Sequence, residues 1–80
     1  MKIQSKIFKS NKTDLKYNVE ISLHGYEIYP DQNIYKVSII YEEEYENDLM
    51  FRDFEDADKC YRFVKDIFCH KPFTLIGENG

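Results

Sequence analysis

Eighty residues with a formal net charge of −4 and an isoelectric point near 5.1 leave room for a single domain, 1–80, and a chain of this size buries only about 60% of its unfolded surface. The hydrophobic fraction of 42%, with 7 Tyr and 6 Phe, excludes a disordered chain. No apolar run nears the roughly 20 residues of a membrane span, and the acidic balance works against affinity for phosphate.

In chain order, the start Met1–Lys6 lacks the apolar segment of a signal peptide, so a cytoplasmic location is expected. Ile3, Ser5 and Ile7 alternate with Lys2, Gln4 and Lys6, which predicts a half-buried strand over about 2–9. Ser10–Asp14 reads as a turn. Tyr17, Val19, Ile21 and Leu23 then alternate with Asn18, Glu20, Ser22 and His24 in a second strand over 17–29. Its apolar parity slips at Gly25, where Tyr26 and Ile28 take over, so a kink or bulge is expected there. Tyr29-Pro30-Asp31-Gln32-Asn33 has the residues of a hairpin turn into a third strand, 34–42, with Tyr35, Val37, Ile39 and Tyr41 on one face. A fourth, more exposed strand over 48–52 is expected after a turn at Asn47-Asp48.

Asp53 has the character of an N-cap, with Glu55, Asp56 and Asp58 where a helix dipole favours anions and Lys65, His70 and Lys71 where it favours cations. The helix is expected over about 54–70. Cys60, Tyr61, Val64, Ile67 and Phe68 fall within about 80° of Ala57 on its wheel, and Lys59, Arg62, Lys65 and Asp66 fall opposite. Pro72 stops it, 73–76 forms a short last strand, and 77–80 frays. The fold class is therefore α+β, a small antiparallel β-sheet of four to five strands packed against one C-terminal amphipathic helix. Its core should set Ala57, Tyr61, Val64 and Phe68 against Val19, Ile21, Val37 and Ile39.

Chemistry-bearing residues are sparse. Cys60 and Cys69 are nine residues apart on one helix, on opposite sides and about 13 Å apart along its axis, so they should be free thiols that share neither a bond nor a metal. His24 and His70 stand in no nucleophile–base motif, and Cys69 and His70 diverge by about 100°. Three glycines, Gly25, Gly77 and Gly80, do not make a phosphate loop, and the acidic run lacks the spacing of a calcium loop. No catalytic, cofactor or metal site is expected, and no enzyme.

Charge is unevenly spread. Residues 1–16 hold Lys2, Lys6, Lys9, Lys12 and Lys16 against Asp14, a net of +4, whereas residues 42–58 hold nine carboxylates against Arg52, a net of −8. Helix capping accounts for Asp53, Glu55 and Asp56. Glu42, Glu43, Glu44, Glu46 and Asp48 are left over, and in an extended strand Glu42, Glu44 and Glu46 would form a row at intervals of about 6.6 to 6.8 Å. With Tyr41, Tyr45, Leu49 and Met50 at its rim, this hairpin is the expected contact surface for a protein with a basic surface, for example the nucleic-acid groove of a nuclease. In small size and Lys/Asp/Asn/Ile/Tyr-rich composition the chain is similar to phage or mobile-element inhibitors such as anti-CRISPR and anti-restriction proteins. That likeness is one of composition, and it implies an inhibitor without assigning residue roles. The alternatives are a nucleic-acid-binding or regulatory domain using the Lys-rich first strand, and a homodimeric structural subunit formed through an exposed sheet edge.

Overall fold

A computed structural model describes residues 1–25, 33–42 and 44–79. Its elements are β1 (Lys2–Ser10), β2 (Lys16–Gly25), β3 (Asn33–Tyr41), β4 (Tyr45–Phe51), α1 (Phe54–Phe68) and β5 (Phe73–Asn79). The strands form one antiparallel sheet in the order β4-β3-β2-β1-β5. β1 to β4 make a meander, and α1 carries the chain back across one face so that β5 closes on the free side of β1. This is the α+β architecture that alternation and the helical stripe predict.

The register explains the core. Phe8 pairs with Tyr17, Val19 with Ile39, and Ile21 with Val37, so these side chains share the face under α1. Phe8, Val19, Ile21, Val37, Ala57 and Tyr61 are buried together. Val64, Phe68 and Ile39, expected among them, are only half-buried, and Ile67 is exposed. One helix is too narrow to cover five strands, so residues off the centre of its stripe meet sheet on one side only. Phe68 compensates through rings: its centroid lies 5.6 Å from Phe8, 5.4 Å from Tyr17 and 4.8 Å from Phe73. Asp53 occupies the N-cap position in extended backbone but makes no side-chain cap bond, so its carboxylate acts with Glu55 and Asp56 through the helix dipole alone.

Several boundaries differ from the sequence expectation, each for a local reason. In β1 the phase breaks between Lys2↔Ser22 and Gln4↔Ile21, so Ile3 is an extra residue, Ile7 turns to the face away from α1, and Phe8 turns inward. The β2–β3 register runs unbroken through Gly25↔Asn33, so no bulge lies at Gly25 itself; Tyr26–Gln32, which carry the rest of that reading and the Pro30 turn, lie outside the described residues. β4 starts at Tyr45 rather than 48, and Asn47 and Asp48 are paired with Ile39 and Ser38 instead of forming a turn. The helix ends at Phe68 rather than 70, since Pro72 disfavours helical backbone just before it; the Cys69 N–H bonds the Asp66 carbonyl at 3.2 Å. Gly77, Glu78 and Asn79 do not fray: they pair with Ile7, Lys6 and Ser5, and Lys6 Nζ meets Glu78 Oε2 at 3.0 Å.

Candidate protein-binding surface

The hairpin joining β3 to β4 is closed by two rings. Tyr41 and Tyr45 sit opposite each other and stack with centroids 5.2 Å apart and planes 19° apart. Tyr41 is backed by Tyr17 at 6.0 Å, and Tyr17 by Phe68, so the exposed Tyr45 ring stands at the end of an aromatic chain rooted in the core. Such a ring is held before any partner arrives, which lowers the ordering cost of binding.

The acidic residues are arranged differently from the predicted row. Glu42 takes left-handed backbone, φ 58°, its N–H reaches the Lys16 carbonyl at 3.4 Å, and the Glu44 N–H reaches the Tyr41 carbonyl at 3.4 Å. Glu42 and Glu44 are therefore exposed turn residues, not strand neighbours of Glu46; Glu43 lies outside the described residues. Glu46 and Asp48 share the β4 face that points away from α1, and both face Lys36, at 3.6 and 3.8 Å. These distances are ion pairs beyond hydrogen-bond reach, so the carboxylates keep accepting capacity. β4 also separates the turn from the helix start by about 20 Å at about 3.3 Å per residue. The −8 segment is thus spread from the turn, along β4, into the first turns of α1 rather than gathered in a single patch.

The Lys-rich strand is largely neutralised. Lys2 meets Glu20 at 3.1 Å, Lys6 meets Glu78 at 3.0 Å and Lys9 meets Asp14 at 3.3 Å. Lys6 also lies opposite Val19, on the α1 face, while Lys9 lies opposite Lys16 on the other, so the lysines do not form one basic stripe.

The sequence reading missed the flank of α1. Val64 lines a cleft of about 300 Å³ with Val37, Ile39, Asn47, Asp48 and Leu49, which places this side of the helix along β4. At about 100° per residue, Phe63 and Ile67 fall on the same side, and they are 69% and 54% exposed. With Tyr45 at 52% and Leu49 at 57% on this face of β4, β4 and this flank form an exposed apolar border, while Met50, 66% exposed, lies on the other face. The signal was present: Phe63 sits about 120° from Ala57, outside the core sector, where a large apolar residue has no core to join.

Burial acts on two of the remaining reactive side chains. Burial, then the carboxylates of Glu78 and Asp58, push the Tyr61 phenol above its ordinary value, and burial pushes the Cys60 thiol up; both shifts oppose activation as a base or nucleophile. Cys60 and Cys69 are free. Ser22 Oγ and His24 Nε2 lie 3.0 Å apart, but among the described residues no carboxylate bonds the ring to orient it. No three His, Cys, Asp or Glu among the described residues converge on a metal position, and no described helix is long and apolar enough to cross a membrane. Comparison with protein-family models, curated proteins and solved structures gives no match.

Proposed function

We propose that this chain is a protein-binding module whose acidic, tyrosine-bearing β3–β4 edge docks on a basic protein surface. In its sharper form the reading makes it an inhibitor of the phage or mobile-element kind, acting in the cytoplasm and occupying the nucleic-acid groove of an enzyme such as a nuclease. The observation that carries it is the exposed Tyr45 ring, stacked on Tyr41 and flanked by Glu44 and Glu46 on an edge strand. Rigid aromatic residues inside a charged rim are the usual anchors of an interface. The rival reading, nucleic acid on the Lys-rich strand, is weakened by the pairing of Lys2, Lys6 and Lys9.

The test begins with capture of a partner from host lysate and continues with purified components. Tyr45→Ala should leave the circular dichroism spectrum unchanged and speed dissociation by roughly 30-fold, the equivalent of an anchor worth about 2 kcal/mol. Nucleic acid that binds the partner should displace the domain. An unchanged dissociation rate, or direct capture of nucleic acid by the domain alone, would overturn the proposal.

A further inference from the structure

β4 is the outermost strand of the sheet, and among the described residues nothing pairs with its outer side. An edge of this kind presents a row of free N–H and C=O groups that can template another strand. Natural edges are blunted by charged side chains, proline or a bulge; Tyr45–Phe51 has no proline and a regular register with β3, and its two charges, Glu46 and Asp48, are both acidic, so they turn away an acidic edge but not a basic strand.

The two faces of β4 differ sharply. On the α1 side, Leu49 borders the cleft with Val64, and the helical repeat puts the exposed Phe63 and Ile67 on the same flank of α1. On the other side stand Glu46 and Asp48, whose carboxylates Lys36 holds only loosely, with the exposed Met50 at the far end of that row. A strand added to β4 would place alternate side chains on these two faces, so each face selects a different residue type.

From this geometry we infer that β4 binds an extended segment of its partner by strand addition, and that the segment alternates basic and apolar residues. The apolar side chains pack on Leu49, Val64 and Phe63, and the basic ones meet Glu46 and Asp48. A second copy of this chain is the poorer occupant. Symmetric antiparallel pairing of two β4 strands sets Asp48 against Asp48, with the Glu46 carboxylates beside them, and like charges directly opposite each other destabilise a sheet. A nucleic-acid strand meets the same repulsion. The inference rests on the acidic-edge reading above and names the partner feature it recognises.

The probe is a nine-residue peptide alternating lysine and valine, measured by fluorescence anisotropy at low salt and by amide hydrogen exchange of the whole domain. The alternating peptide should bind at least tenfold tighter than a peptide of the same composition written as a lysine block and a valine block, and should protect alternate β4 amides. N-methylation of its alternate residues in one phase should abolish binding, and in the other phase should leave it. Phe63→Ser, at an exposed position, should weaken binding about tenfold without altering the fold. Equal binding of the two peptides without β4 protection would overturn strand addition while leaving acidic-edge docking in place. Failure of both peptides to bind would overturn both. Equal binding of an alternating glutamate and valine peptide would overturn the charge selection, and concentration-dependent dimerisation through β4 would make a second copy the occupant and overturn the assignment of a basic segment.

Discussion

Phe8→Ala is expected to lower the unfolding free energy by about 3–5 kcal/mol, the range for removing a buried ring and leaving a cavity. Phe8 is buried, pairs with Tyr17 on one side and Leu75 on the other, and stacks on Phe68. It thus joins β2, β1, β5 and the end of α1 in one contact set. Domains are stable by only about 5–15 kcal/mol, and each kcal/mol moves the midpoint of a domain this size by roughly 4–8 °C. Thermal unfolding should therefore begin well below that of the parent, by more than 10 °C at the midpoint on the same arithmetic. Phe63→Ala is the control, since an exposed phenylalanine should change stability by less than about 0.5 kcal/mol. Equal losses at the two positions would show that α1 does not present its Ala57–Tyr61 face to the sheet.

The combined change Glu42→Lys, Glu44→Lys and Glu46→Lys should slow association with the captured partner by one to two orders of magnitude at low ionic strength, within the range of electrostatic steering. The three residues are exposed, so the fold should persist, and Lys36 retains Asp48 as its counter-charge. The difference should shrink as salt rises, because the screening length falls from about 30 Å at 0.01 M to about 10 Å at 0.1 M. Reversal of Lys2, Lys6 and Lys9 adds negative charge away from the β3–β4 edge and should not slow association with a basic partner. An unchanged rate in the glutamate variant, with loss of binding in the lysine variant, would transfer the site to β1.

Local pattern carried most of the fold. The alternation of Tyr17–Leu23 and Tyr35–Tyr41, and the stripe through Ala57 and Tyr61, specify two central strands and a covering helix because each buries one face only. Other features depended on contacts that no short window contains. The extra residue at Ile3 follows from how β1 meets Ser22 and Ile21, and the pairing of Gly77–Asn79 follows from the nearness of β1, far away in sequence. The acidic content of 42–48 masked the start of β4, since a strand rich in carboxylates is unfavourable in a sheet interior but tolerable at an edge, with Lys36 beside it. Of the candidate site, the ring pair and the charge were legible by residue type. The tight turn that separates Glu42 and Glu44 from Glu46, and the apolar flank of α1, emerge only when strand and helix are placed side by side.

The pairing of β1 with β5 has a consequence for the order of assembly. Lys6 and Glu78, joined across that seam, are 72 positions apart, whereas β1–β2 and β3–β4 are joined by short connections. Closing a long loop costs more chain entropy before any contact rewards it, so the meander should form first and β5 should dock last, when α1 has already brought the two chain ends together. Native-state hydrogen exchange should then find the β5 amides opening at lower free energy than those of β2 and β3. Equal protection throughout would mean that the seam closes together with the meander as one cooperative unit.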